Sequence, residues 1–143
     1  GVNIGLGTAT PRSKIDLEGP TRMSSYHEIP KAVTSSSGVV TLDLDQHQTF
    51  TLTTSEDITY FKLQGVQADS STTFTIKILQ GSTAYGVGID TFKDSGLSAI
   101  DVYWPGGVVP TVTDVAAKTD IYSFMTFDGG TSLFGIIGGQ NFS

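Results

Sequence analysis

Val39-Val40-Thr41-Leu42-Asp43-Leu44-Asp45, followed by Thr49-Phe50-Thr51-Leu52-Thr53, decides how this chain folds. Val40, Leu42 and Leu44 alternate with Thr41, Asp43 and Asp45, and Phe50 and Leu52 alternate with threonines. Successive side chains of a strand point to opposite faces, so a period of two describes strands with one apolar and one wet face. Further along, comparable stretches recur at 58–63, 72–79, 87–92, 99–104, 121–127 and 133–137. Turn-forming residues separate them at Ser55-Glu56-Asp57, Asp69-Ser70-Ser71, Gly81-Ser82, Lys93-Asp94-Ser95-Gly96, Pro105-Gly106-Gly107 and Asp128-Gly129-Gly130. About eight short strands at this spacing predict an all-β fold, an antiparallel β-sandwich of jelly-roll-like form. The expected core is Val40, Leu42, Leu44, Phe50, Leu52, Phe61, Leu63, Phe74, Ile76, Ile78, Ile100, Val102, Trp104, Phe124 and Ile136. No segment sustains a helical period, and 112–118 has room for one turn.

Upstream the texture changes. Residues 20–37 hold Gly19-Pro20 at their start, then Ser24-Ser25, Pro30 and Ser35-Ser36-Ser37-Gly38, and read as a connector. Before it, Ile4 and Leu6 alternate with glycines, Thr8-Ala9-Thr10-Pro11-Arg12 signals a turn, and Ile15 and Leu17 alternate with charged residues. Four apolar side chains cannot build a core, and two strands alone are marginal in water. The segment therefore needs a partner, with Ile4, Leu6, Ile15 and Leu17 as candidate residues of a trimer axis or attachment surface. The expected organisation is an N-terminal β attachment or trimerisation segment (1–19), a connector (20–37) and a β-sandwich head (38–143).

Composition narrows the function. The 143 residues include 20 threonines and 15 serines, the net charge is −6, and there is no cysteine. Stiff β-branched threonines suit a pleated surface. A negative field repels phosphate backbones and anionic lipid, which argues against nucleic acid and membrane surfaces as partners. No run of 18 apolar residues exists, so no membrane insertion is expected. Without cysteine there is neither a disulfide framework nor a thiolate zinc site. A start at Gly1, without methionine or signal-peptide pattern, suggests a processed form or a piece of a longer protein.

The search for chemistry yields no catalytic, cofactor or metal residues. Asp43 and Asp45 lie two apart and so share a strand face, but no calcium-loop spacing follows them. They read as solubilising charges. His27 and His47 lack a paired ligand motif. Gly5-Leu6-Gly7 and Gly86-Val87-Gly88 lack the third glycine and helix of a dinucleotide fingerprint. No nucleophile elbow or phosphate loop is present. Asp128-Gly129-Gly130 reads as a hairpin turn, because such a turn needs positive φ. Among Tyr26, Tyr60, Tyr85, Tyr103, Tyr122 and Trp104, the candidate sugar-contact residues are Tyr85, Tyr103 and Trp104, and half-buried strand aromatics are the structural alternative.

Two stretches carry a resemblance. Asn3-Ile4-Gly5-Leu6-Gly7-Thr8-Ala9-Thr10-Pro11-Arg12-Ser13-Lys14-Ile15-Asp16-Leu17-Glu18-Gly19 resembles a segment recurrent in tailed-bacteriophage fibres and other virion appendages. The run from Trp104-Pro105-Gly106-Gly107 through Lys118-Thr119-Asp120 and Asp128-Gly129-Gly130 to Gly138-Gly139-Gln140-Asn141-Phe142 resembles the end of such proteins. The resemblance implies a non-enzymatic, homotrimeric, β-rich tail-fibre or spike component, located in the virion on the extracellular particle surface. Its implied partners are other virion proteins and a host-surface glycan bound multivalently, with no cofactor. A capsid head fibre or decoration protein and a secreted carbohydrate-binding module are the alternative readings. A small glycan-cleaving enzyme has only scattered carboxylates in its favour.

Overall fold

The computed structural model describes residues 4–7, 9, 15–17 and 19–143. The turn expected around Pro11 lies outside the described residues. Among the described residues twelve strands follow one another: β1 (Ile4–Leu6), β2 (Ile15–Leu17), β3 (Lys31–Val33), β4 (Ser35–Ser36), β5 (Val39–Asp43), β6 (Thr49–Thr53), β7 (Tyr60–Gln64), β8 (Thr72–Leu79), β9 (Phe92–Lys93), β10 (Ala99–Tyr103), β11 (Thr119–Thr126) and β12 (Ser132–Phe142). A single 3₁₀ turn at Pro105–Gly107 is the only helical element among the described residues. The protein is all-β.

Ten strands form one large sheet in the order β3-β6-β8-β11-β12-β10-β9-β7-β5-β4. It folds over its own core and nearly closes into a barrel. The outermost strands, β3 and β4, are separated in the chain by Thr34 alone, so covalent continuity links the two edges. From β3 onward the chain winds. β3, β6 and β8 pair in parallel in one half of the sheet, and β5, β7 and β9 pair in parallel in the other. Each lap adds one strand to each half. β10, β11 and β12 then complete the sheet, β12 lying antiparallel to β11 and parallel to β10.

This winding corrects the expected antiparallel jelly roll: the sheet is mixed. Its physical cause lies in the connections. Residues 44–48 and 54–59 carry the chain across to the opposite half instead of turning it back onto a neighbour, so strands of successive laps run the same way. The expected connector also ends early, since β3 and β4 are already part of the sheet. Ser36-Ser37-Gly38-Val39 makes a two-residue hairpin, with φ of 53° at Ser37 and 76° at Gly38. Positive φ at both central residues matches the right-handed strand twist, so this serine-rich stretch folds as a turn. Asp128-Gly129-Gly130 behaves as expected, with φ of 69° and 88° at its glycines, and joins β11 to β12.

Alternation fills the core almost as the sequence predicts. Val40, Leu42, Phe50, Leu52, Phe61, Leu63, Phe74, Ile76, Ile78 and Phe124 are buried, Leu44, Ile100 and Trp104 nearly so, and Val102 packs partly against them. Ile58, Ile89, Phe92, Tyr122 and Leu133 complete the interior. Ile136 is the error, because it faces solvent. In β12, Leu133 and Gly135 point inward, so Ile136 must point out. Gly135 occupies the inward position because Trp104 fills the space: a Cβ there would lie 2.5 Å from the indole.

Replacing Trp104 with alanine should therefore cost about 3–5 kcal/mol, as for large buried aromatics. Ile136→Ser should stay within about 0.5 kcal/mol, as for surface positions. Urea unfolding of both variants checks the assignment, and equal losses would contradict it.

Candidate functional site

Gln80 and Asp120 stand out as polar side chains buried in an apolar interior. Strand alternation puts them there: Gln80 follows Ile76 and Ile78 on the inward face, and Asp120 precedes Tyr122 and Phe124. A buried polar group is costly unless each of its hydrogen bonds is made. Both residues meet that condition by holding surface loops.

The Gln80 amide is fully used. Its Oε1 accepts from Thr54 Oγ1 at 2.7 Å and the Tyr85 amide at 3.0 Å. Its Nε2 donates to the Tyr85 and Thr113 carbonyls, both at 3.0 Å. One side chain thus ties the loop after β8 to the loop before β11. Asp57 secures the first loop further by accepting from the Gly86 amide at 2.8 Å.

Asp120 pins the second loop. Its carboxylate accepts from the Thr113 amide and hydroxyl, both at 2.7 Å, the Tyr122 hydroxyl at 3.0 Å and the Asn141 amide at 2.8 Å. Irregular register between β11 and β12 places residues 140 and 141 against it, and Asn141 takes φ of 58°. Gln140 Nε2 donates to the Thr111 carbonyl at 2.6 Å and the Tyr122 hydroxyl at 2.7 Å. Burial raises the Asp120 pKa, but donors from Thr113, Asn141 and Tyr122 outweigh it and hold the carboxyl below its ordinary 3.8. Burial and the Asp120 charge push the Tyr122 hydroxyl well above its ordinary 10.0.

Between the two pinned loops lies a cleft of about 310 Å³, lined by Tyr85, Val87, Ile89, Asp90, Val109, Pro110, Thr111 and Asp114 among others. Its floor is apolar, Ile89 being buried. The exposed carboxylates Asp90 and Asp114 stand at its sides, together with half-buried Tyr85. A larger concavity of about 400 Å³ runs beside His47, with Glu28, Ile29 and residues 44–48 around it. Two of its polar groups already serve the fold: His47 Nδ1 lies 3.2 Å from the Ile29 carbonyl, and Glu28 accepts from Thr49 Oγ1 at 2.5 Å.

The three candidate sugar-contact residues occupy different environments. Tyr85 lines the cleft. Trp104 is only 7% exposed and packs edge-on against Tyr122 and Phe124, so it is a core residue and not a surface ligand contact. Tyr103 lies on the outer face of the sheet, its ring 5.5 Å from that of Phe134, which also meets Phe127 at 5.9 Å. With Ile136 these rings form an exposed apolar patch. Tyr26 is exposed, Tyr122 is buried, and Lys93 Nζ sits 4.3 Å over the Tyr60 ring.

Asp43 and Asp45, expected to be solubilising charges, also hold local structure. Asp43 accepts from the Asp45 amide at 3.1 Å, and Asp45 from Gln67 Nε2 at 2.6 Å. Asp128 organises its own turn. Bonds from the Ser132 hydroxyl and amide and from Thr126 lower its pKa to about 2. His27 and His47 do not converge: among the described residues no group of three or more His, Cys, Asp or Glu is placed to hold a metal ion. No described helix is long and apolar enough to cross a membrane.

At the N-terminus, β1 and β2 form a separate parallel pair with Ile4 opposite Ile15 and Leu6 opposite Leu17. Residues in register on parallel strands point the same way, so all four apolar side chains share one face. They are 54%, 62%, 61% and 41% exposed for Ile4, Ile15, Leu6 and Leu17.

No protein-family model, curated protein or solved structure matches the chain.

Gln80→Ala should lower stability by about 2–4 kcal/mol, since it strands several buried groups at once. Asp120→Asn should cost a comparable amount near neutrality. A depressed folded pKa means that the folded state binds fewer protons than the unfolded one. The Asp120 contribution is therefore full above 3.8 and is lost as pH falls through the lower folded value. Denaturant melts of parent and Asn variant should converge as pH falls below about 4. A constant difference would exclude Asp120 as the titrating group.

Proposed function

We propose that this chain is a non-enzymatic structural component of a bacteriophage virion, a tail-fibre or spike piece that attaches the particle to host-surface glycans as a homotrimer. The observation that carries this reading is the N-terminal ribbon. β1 and β2 align Ile4, Leu6, Ile15 and Leu17 on one exposed face, outside the large sheet. So small a ribbon lacks the area to stand alone in water, and an apolar face of this kind suits burial against copies of itself or another virion protein. The finer architecture in this reading is a β head on an N-terminal stem, and the resemblance at both ends of the chain supports it.

Attachment without catalysis agrees with where the perturbed groups lie. Shifted pKa values often mark active sites, but those of Asp120 and Asp128 are lowered by hydrogen bonds that build a loop and a turn, and that of Tyr122 is raised by burial and the neighbouring Asp120 charge. Three heads per fibre, and several fibres per particle, turn weak single contacts into durable adsorption.

Sedimentation of the purified chain at micromolar concentration should give a species of three 15.1 kDa chains. The double change Leu6→Asp with Leu17→Asp should dissociate it without altering the melting temperature of the sheet, which those residues do not enter. The dissociated form should adsorb to bacterial envelopes about a hundredfold more weakly. A monomeric parent that adsorbs fully would count decisively against the proposal. So would new reducing ends released from envelope glycans. Labelled particles imaged by electron microscopy would distinguish tail from capsid placement.

A further inference from the structure

The geometry points to the cleft between residues 81–91 and 108–114 as a saccharide-binding site, taking the terminal one or two units of a neutral or N-acetylated glycan. The inference rests on the attachment reading for its ligand class, and on the cleft itself for its place.

Three observations converge there. The first is the fixing of both walls. Gln80 bonds Tyr85 and Thr113 from beneath with one amide, Asp57 holds Gly86, Asp120 holds Thr113, and Gln140 holds Thr111. Loops normally vary and move, and binding residues gain from loops held by a rigid scaffold. Here buried polar side chains supply that rigidity, so little entropy is lost when a ligand settles between the walls.

The second observation is the lining. A sugar ring presents C–H groups on its faces and hydroxyls around its edge. Tyr85 and the apolar residues Val87, Ile89, Val109 and Pro110 suit the faces. Asp90, Asp114 and Thr111 suit the edge, since an ionised carboxylate accepts two hydrogen bonds from neighbouring hydroxyls. Among the described residues none hydrogen-bonds the Tyr85 hydroxyl or the Asp114 carboxylate, which leaves both for a ligand. At about 310 Å³ the cleft is at the small end of the range for ligand sites, a fit for a chain end and not for a long polymer.

Charge supplies the third. No cation lines the cleft, its two ionisable carboxylates are Asp90 and Asp114, and the whole chain carries −6. Uronates, sialic acids and phosphorylated sugars would meet repulsion, whereas neutral and N-acetylated sugars would not.

The test titrates methyl glucoside, methyl galactoside, methyl mannoside and an N-acetylglucosamine disaccharide into the full ¹⁵N-labelled chain, with glucuronate and N-acetylneuraminate as charged comparators. At least one neutral probe should bind with a Kd of about 1 mM and move amides of residues 84–90 and 111–114. Tyr85→Ala and Asp114→Asn should each weaken it about tenfold while leaving the rest of the spectrum unchanged. Both variants spare the clamp, because Gln80 holds only the backbone of Tyr85. Tighter binding of the charged probes would overturn the ligand class. Undiminished binding by both variants, or silence from every neutral probe at about 50 mM, would overturn the site. Adsorption of the parent to whole envelopes, measured in parallel, reports on the attachment reading by itself. Adsorption untouched by Tyr85→Ala would retire the cleft and leave attachment standing, whereas absent adsorption would remove both.

Discussion

Phe92 is the contact on which the rest of the molecule closes. It sits in a two-residue strand, yet its ring lies 5.2 Å from Phe61, 6.2 Å from Phe74 and 4.8 Å from Phe124. Phe61 belongs to the half of the sheet wound from β5, β7 and β9, and Phe74 and Phe124 to the half containing β6, β8 and β11. The two halves therefore meet through one aromatic cluster, which Trp104 extends from Phe124 toward Tyr122. Offset and tilted ring pairs add to the area each ring removes from water. Because the chain shuttles between the halves, each lap's alternating residues are delivered to this same interior.

That interior in turn determines which loops can be ordered. β8 and β11 run side by side, with Asp120 opposite Ile78 in register. Continuing their inward faces beyond the apolar layer brings Gln80 and Asp120 to the rim of the core. A polar residue at that depth is tolerated only when its partners are complete, and the nearest partners are the backbones of neighbouring loops. The hydrogen bonds that offset the cost of burying these two polar groups also fix the backbone at Tyr85, Thr113 and Asn141. Fold and candidate site are joined at Gln80, whose amide belongs to the core and whose bonds hold the cleft.

The N-terminal ribbon follows the opposite logic. Its apolar side chains are aligned by parallel register and stand 41% to 62% exposed. The outer patch of Tyr103, Phe127, Phe134 and Ile136 is also exposed, though it lies on a sheet already stabilised from within. These surfaces differ in what exposure implies. A sheet face can remain wet without threatening the fold, whereas an isolated two-stranded ribbon depends on burial for its own order.

Local pattern determined the longer strands, most of the core and most of the turns, because those depend on side-chain period and backbone torsion within a few residues. It missed β3 and β4 within the expected connector, and it expected a full strand at 87–92, where only a bridge at Val87 and the short β9 form. The inward alternation of Phe50 and Leu52, or of Phe74, Ile76 and Ile78, is visible in the chain itself, and Asp128-Gly129-Gly130 announces its own positive φ. Gln80 and Asp120 were not legible as inward residues, because the strand stretches read from the sequence, 72–79 and 121–127, stop one residue short of each. Their partners were not legible: Thr113 and Asn141 lie 7 and 21 residues from Asp120. Only the tertiary structure decided that consecutive strands cross between halves and pair in parallel, because pairing is set by which strand the crossing connection lands beside. It also turned Ile136 outward, by filling the space above Gly135 with Trp104, and set Tyr85 beside Asp90 and Asp114. Such juxtapositions arise from long-range packing, where residues distant in the chain compete for the same volume.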